Sequence, residues 1–242
     1  MYRKGTNKAM SRLHYHMRRS VKVLPGIVNR GVRRGKLTGD LLSSYWGRAG
    51  YVYSDGDYVR NASLELAARE ICERGVAGAA AELGVFRGDY AKLINQAFPD
   101  RKLYLFDTFS GFDPDEYAWE RQRGYVREVD DFSDTSMDLV LRKMKYPQNC
   151  VVKQGYFPDS AAGLDEQFAF VSIDCDLYQP TLAGLRFFRE RLSPGGYIFV
   201  HDYQNPVYVG VKAAVRDFCE SSGDTYFLLP DTCGSAVITR PY

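Results

Sequence analysis

Two short acidic segments stand directly after apolar runs that read as β-strands: S-I-D-C-D-L-Y, with Asp174 and Asp176, and F-V-H-D-Y, with His201 and Asp202. Two further carboxylates hold similar places. Glu82 lies two residues before Gly84 in A-E-L-G-V-F-R-G, and Asp107 closes the apolar run 103–106. If these runs lie parallel in one sheet, all six side chains emerge at the same carboxyl edge. Carboxylates and an imidazole crowded at one point repel unless something positive sits among them, and hard oxygen ligands favour Mg²⁺ or another hard divalent ion. Asp174 and Asp202 are the candidate ligands. Asp176 is the candidate general base, and His201 is a third ligand or an alternative base, because imidazole serves either role near neutral pH. Two unrelated strand-end caps are the competing reading.

The stretch 79–107 reads as strand, glycine turn, helix, strand. A dinucleotide fingerprint wants G-x-G-x-x-G, so that backbone can approach a pyrophosphate at a helix N-terminus. Here only Gly84 and Gly88 are present, bulky Phe86 and Arg87 stand between them, and a carboxylate precedes the first. That environment suits a ligand with a positive end. S-adenosylmethionine carries both an ammonium and a sulfonium, and Asp107 offers two acceptor oxygens for ribose hydroxyls. Glu82, Gly84, Gly88 and Asp107 would line the crevice.

The elements that must position these groups follow from hydrophobic period. A helix is expected over 60–74, with Leu64, Ala67, Ala68 and Ile71 on one face, then a strand at 79–83, a helix at 90–98 and a strand at 103–106. Residues 108–149 form a long excursion, beginning as a polar, aromatic loop and settling into a helix at 135–145 capped by Ser133 or Asp134. Loops of this length are usually lids or binding loops. Phe109, Phe112, Tyr117, Trp119 and Tyr125 either shape a substrate pocket or pack under the loop. Strands follow at 150–154, 168–173 and 197–200, helices at 180–192 and 209–220, and a closing strand pair at 226–229 and 236–239. The pattern predicts a doubly wound α/β sheet with an antiparallel edge strand.

The 242 residues suit one large α/β domain, with residues 58–242 as its extent and 1–57 as a basic arm and loops, including one short helix around 41–46. Residues 1–39 carry eleven Lys or Arg and no acid, leaving 21 basic against 30 acidic side chains for the rest. The arm lacks a recognisable nucleic-acid module, so a solvated arm, or one covering a partner copy in a homodimer, is favoured over nucleic acid. No run of eighteen uncharged apolar residues exists and no signal-peptide core opens the chain, so a cytoplasmic location is expected. The five cysteines are scattered, odd in number and never in C-x-x-C, which argues for buried thiols over a disulfide or zinc framework.

The ordered motifs A-E-L-G-V-F-R-G-D-Y, F-S-D-T-S (132–136), K-Q-G-Y-F-P-D-S (153–160), S-I-D-C-D-L-Y-Q-P-T (172–181), L-S-P-G-G-Y-I-F-V-H-D-Y (192–203) and G-V-K-A-A-V (210–215) resemble the macrocin O-methyltransferase family. Its enzymes methylate sugar hydroxyls of macrolides and aminocoumarins. The resemblance runs from about Tyr58 onward. It implies a Rossmann-like class I methyltransferase fold, S-adenosylmethionine and Mg²⁺, metal ligands at Asp174 and Asp202, a base at Asp176, and cofactor contacts at Glu82, Gly84 and Asp107. Gly88, Thr108, Ser133 and Gly155 complete the cofactor set expected within these motifs. One departure stands out. The family's antibiotic-tailoring members typically carry D-D-Y where this chain has His201-Asp202-Tyr203, which weakens Mg²⁺ binding, favours a softer ion such as Mn²⁺, or leaves no metal needed.

The expected function is therefore metal-assisted methylation of a sugar hydroxyl on a glycan or glycosylated metabolite. Two other readings stay open: a metal-independent small-molecule O-methyltransferase with His201 as base, and a non-catalytic chain that keeps the fold for interaction. A nicotinamide oxidoreductase is disfavoured by the missing third glycine.

Overall fold

The structure is a computed structural model that describes residues 57–127 and 132–242. The helix expected around 41–46, and the arm up to residue 56, lie outside the described residues. In chain order the elements are α1 (Tyr58–Glu73), β1 (Ala79–Leu83), α2 (Ala91–Ala97), β2 (Leu103–Asp107), α3 (Pro114–Gln122), α4 (Met137–Leu141), β3 (Cys150–Gln154), β4 (Phe168–Ile173), α5 (Tyr178–Arg191), β5 (Leu192–Val200), α6 (Gly210–Ser222), β6 (Phe227–Leu229) and β7 (Ser235–Thr239). The strands form one seven-stranded sheet in the order β3-β2-β1-β4-β5-β7-β6.

β1 pairs in parallel with both β2 and β4, and β4 with β5, while β7 runs antiparallel between β5 and β6. The expected antiparallel strand is thus β7, with the short β6 outside it. Every residue of β1 and β4 is buried, as strands covered by helices on both faces must be. Strand order reverses between β1 and β4, and at such a switch point the loops after the two strands diverge and leave a crevice.

α1 begins where Asp57 caps it, its carboxylate accepting the Val59 and Arg60 N–H groups at 3.0 and 3.3 Å. Leu64, Ala67, Ala68 and Ile71 face the core as the period predicts, but Cys72 is exposed and the other four thiols are only partly buried. Cys72 follows Ile71 by one residue, which turns it about 100° off the buried stripe.

The excursion after β2 departs most from expectation. Its aromatic stretch contains α3, capped by Asp113, whose carboxylate accepts the Asp115 and Glu116 N–H groups at 3.0 and 2.9 Å. Pro114 occupies the first helical position, where its missing N–H costs nothing. The helix expected at 135–145 is the shorter α4, capped by Ser136, not by Ser133 or Asp134. Asp134 is engaged in an ion pair with Arg87, and the Thr135 hydroxyl donates to the Phe86 carbonyl. Those side chains tie the segment to the glycine turn and delay the helix start. β5 begins at Leu192, earlier than expected, because S-P-G-G is carried within the strand, where Gly195 N–H donates to Arg240 O at 2.7 Å. Among the described residues, no helix is long and apolar enough to cross a membrane.

Candidate active site

Asp174, His201 and Asp202 meet where the ends of β4 and β5 lie side by side. Backbone bonds fix the approach: Asp174 N–H donates to Leu83 O at 2.8 Å and His201 N–H to Ile173 O at 2.9 Å. The His201 Nδ1 lies 3.1 Å from Asp174 Oδ1 and 3.2 Å from Asp202 Oδ1. Asp176 hydrogen-bonds Asp202 across the same point. Asp176 and Asp202 both adopt left-handed backbone, each with φ of 62°. Aspartate tolerates that region better than most residues, and strain of this kind persists only where surrounding structure enforces it.

Sequence reasoning missed the positive group. Arg60, from the first turn of α1, places Nη2 2.9 Å from Asp174 Oδ2 and lays its guanidinium 3.8 Å from the centre of the Tyr90 ring. It sits on the helix face opposite no obvious motif, so only its position, 114 residues before Asp174 in sequence, brings it in. Burial opposes its charge, and the Asp174 carboxylate more than restores it.

The charges then sort themselves. Burial would push Asp174 up, but Arg60 and His201 hold its carboxyl well below the usual carboxylate range. Burial works against a charged imidazole, yet Asp174 outweighs it and His201 is pushed up to about 10, so at neutral pH it is an imidazolium. Burial pushes Asp176 well up, helped by Asp202 and Asp174. Burial likewise pushes Glu82 well up, with Arg60 only partly offsetting it.

The glycine turn is built by packing. Gly84 has φ of +83°, and a Cβ there would fall 2.1 Å from the Asp174 carbonyl oxygen. Gly88, at φ of +73°, would bring a Cβ to 2.9 Å from Val140 of α4. Asp107 folds the turn: its Oδ2 accepts the Val85 and Phe86 N–H groups at 2.7 and 2.8 Å, and its Oδ1 accepts Phe109 N–H at 2.7 Å. An ionised carboxylate has about four acceptor positions, so capacity remains for a ligand hydroxyl. Gly155 N–H donates to Asp107 O at 3.0 Å at the neighbouring strand end. The Thr108 hydroxyl donates to Gly111 O at 2.7 Å, and Ser133 accepts Thr135 N–H on its carbonyl at 2.9 Å, beside the residues that grip the turn.

The aromatic residues of the excursion pack on one another. Phe112 stacks on Tyr117 at 5.5 Å and meets Phe132 edge-on at 5.1 Å, while Trp119 lies against Tyr178 at 5.9 Å.

Both implied ligands meet suitable groups. Glu82 is 1% exposed, and its Oε2 finds no hydrogen-bond partner among the described residues, which fits a ligand bringing an ammonium. Asp174, His201 and Asp202 each offer one donor atom, all within 4.8 Å of one another, which fits a divalent cation. The imidazolium proton on His201 would have to leave for that nitrogen to ligate.

Comparison with known proteins gives a consistent picture. The model of the macrocin O-methyltransferase (TylF) family matches residues 42–226. Among curated relatives, the 8-demethyl-8-(2,3-dimethoxy-α-L-rhamnosyl)-tetracenomycin-C 4′-O-methyltransferase of Streptomyces olivaceus is 25% identical over 156 residues, covering 58% of this chain and 59% of the relative. The mycinamicin III 3″-O-methyltransferase of Micromonospora griseorubida is 26% identical over 164 residues, covering 62% of this chain and 63% of the relative. The match thus spans about three fifths of the length of these relatives. In fold, the O-methyltransferase NovP superimposes with a TM-score of 0.66 at 22% identity, covering 76% of this chain and 81% of NovP. CalS11, a calicheamicin methyltransferase, gives 0.61 at 18% identity, covering 98% of this chain and 94% of CalS11.

Proposed function

The chain belongs to the macrocin O-methyltransferase (TylF) family, and from that footing we propose that it transfers the methyl group of S-adenosylmethionine to a hydroxyl of a sugar-bearing acceptor. The reading is carried by one observation: Glu82 and Asp107 stand at the carboxyl ends of β1 and β2, on the same edge of the sheet where Asp174, Asp176, His201 and Asp202 follow β4 and β5. The curated relatives named above act on sugar-bearing natural products, which supports a glycosylated metabolite or glycan as acceptor.

The reaction is an in-line displacement. An acceptor oxygen forms a bond to the methyl carbon, the carbon–sulfur bond breaks, the sulfur keeps the electron pair as a neutral thioether, and the hydroxyl proton passes to a base. Glu82, buried and short of a partner, holds the ammonium end of the cofactor. Asp107 holds the turn and offers its remaining acceptor capacity to the ribose. Asp176 takes the hydroxyl proton, and burial and Asp202 both raise its proton affinity, the direction that favours a base. Asp174, Asp202 and, once deprotonated, His201 would hold Mg²⁺ or Mn²⁺, which when bound acidifies and orients acceptor hydroxyls. Arg60 fixes Asp174 from behind and keeps it ionised. The alternative in which imidazole is the base requires His201 to lose the proton that Asp174 holds on it.

Calorimetric titration with S-adenosylhomocysteine, followed by Mg²⁺ and Mn²⁺ on that complex, tests the reading. Cofactor-product binding with a saturable metal signal supports it, and Asp176→Asn should then keep this binding while losing turnover on glycosylated acceptors. Binding without a metal signal favours the metal-free alternative. No binding of the nucleoside sinks the methyltransferase reading.

A further inference from the structure

Glu120 is a buried carboxyl that the chemistry above does not use. It lies on α3, in the excursion, and its residue is 0% exposed. Its Oε1 accepts Gln179 N–H at 3.1 Å in the first turn of α5, and the Tyr178 N–H is a second donor. α5 has no cap of its own, since Leu177 stands at the capping position and cannot accept a hydrogen bond with its side chain. A segment distant in sequence therefore supplies the acceptor that this helix end needs.

The surroundings are shaped for that carboxyl. Gly210, at the start of α6, is where a Cβ would fall 2.9 Å from Glu120 Oε2, and 3.1 Å from the Cβ atoms of Tyr125 and Tyr178. Trp119, the neighbour of Glu120, lies against Tyr178, whose hydroxyl donates to Asp217 Oδ2 on α6 at 2.8 Å. Farther along, Arg127 N–H donates to Val207 O at 3.1 Å in the loop that follows His201 and Asp202. The excursion thus grips both catalytic loops, and at the first turn of α5 Glu120 adds a hydrogen bond to the ring contacts that Trp119 and Tyr125 make with Tyr178.

We propose that Glu120 is a positioning residue that locks the excursion onto the first turn of α5 and thereby holds Asp174 and Asp176 in their working arrangement. Only two residues separate the anchored Gln179 from Asp176, whose left-handed backbone needs enforcement from outside the loop. The proposal takes the methyltransferase reading for what the loop does, while the anchoring itself does not depend on it. The carboxyl sits there at a cost, since burial raises its proton affinity. A local serine or aspartate cap in place of Leu177 would stabilise α5 without it. It would not, however, connect α5 to the excursion.

The test is hydrogen exchange by mass spectrometry on the purified full chain, following the peptide spanning 174–181, with S-adenosylhomocysteine affinity measured in parallel. Glu120→Ala should speed exchange of that peptide by about tenfold or more, the scale of one lost hydrogen bond to a charged group, and leave nucleoside affinity within about threefold. Glu120→Gln keeps an acceptor oxygen and should restore protection to within about threefold of the parent. Gly210→Ala crowds the carboxyl from α6 and should deprotect the same peptide, which decides the matter if Glu120→Ala does not fold. Unchanged exchange in Glu120→Ala, or in Gly210→Ala, overturns the proposal, as does exchange in Glu120→Gln as fast as in Glu120→Ala. A parent chain that binds no nucleoside would refute the methyltransferase reading and still report on the anchor.

Discussion

Replacing Arg60 with methionine removes the cation of the site while keeping most of its volume and its apolar stem. The Arg60 and Asp174 side chains are only 12% and 23% exposed, so their 2.9 Å contact is a largely desolvated ion pair. Removing one partner of such a pair costs about 3–5 kcal/mol, because the other charge is left buried. Asp174 keeps His201 at 3.1 Å, which places the loss at the lower end of that range. Loss of the guanidinium from the Tyr90 face adds roughly 0.5–2 kcal/mol, and methionine packing against the same ring returns part of it. The expected net is about 3 kcal/mol. At 2–4 °C per kcal/mol for a domain of this size, melting should fall by about 6–12 °C. Lys102→Ala is the control, because its 3.5 Å contact with Glu166 is made by a lysine side chain 63% exposed, where solvent screens the pair, and it should leave melting unchanged. Chemical denaturation across pH supplies a second arm. Asp174 titrates below its ordinary 3.8, so its contribution is fully present above that pH and is lost as pH falls through the lowered value. The gap between parent and Arg60→Met should therefore be constant above about pH 4 and close below it. An Arg60→Met protein melting within about 2 °C of the parent, like the lysine control, would refute the view that the guanidinium balances the carboxylate cluster.

Three further outcomes follow from the same geometry. Gly84→Ala should fail to accumulate as folded protein, since its Cβ would meet the Asp174 carbonyl oxygen at 2.1 Å in a left-handed backbone; soluble, cooperatively melting protein would contradict the close approach of β1 to β4. Glu82→Gln should weaken S-adenosylhomocysteine binding by about 10–100-fold, the scale of a hydrogen bond to a charged group. Burial raises the proton affinity of Glu82 and a bound ammonium would lower it again, so S-adenosylhomocysteine affinity should depend on pH more in the parent than in Glu82→Gln. Glu116 and Glu120 are each pushed up to about 7, chiefly by burial, so the stability they confer is complete below their ordinary 4.5 and lost as pH rises through 7. Glu120→Gln should thus gain about 2 kcal/mol on the parent between pH 5 and pH 8 in denaturant titrations, with Glu116, more exposed and better screened, contributing less to the residual slope.

Much of the framework is written in local patterns. The apolar runs that end at Leu83 and just before Asp174 are fully covered strands, those that end at Asp107 and just before His201 are largely so, and a covered parallel strand has to be apolar along its length. The chemistry-bearing residues fall just beyond those runs, because the ends of buried strands are where polar side chains regain room and partners. That is why the carboxylate cluster could be read before any coordinates. Asp113-Pro114-Asp115-Glu116 is a helix-start signal too, but the aromatic residues that follow suggest the loop expected there, and α3 was missed.

Tertiary structure alone decided the electrostatics and the helix starts that depend on distant partners. Arg60 lies on a helix whose period shows only a core face, and its pairing with Asp174 exists because α1 packs against β4 and β5. Whether His201 carries a proton depends on a 3.1 Å distance that no spacing encodes. α4 starts at Met137 because Asp134 and Thr135 are committed to the glycine turn, and α5 starts at Tyr178 with its cap supplied by Glu120 from another element. Sequence sets which segments are apolar enough to pair and which side chains stand at their ends. Burial and charge then act through distances, which exist only once the chain has folded.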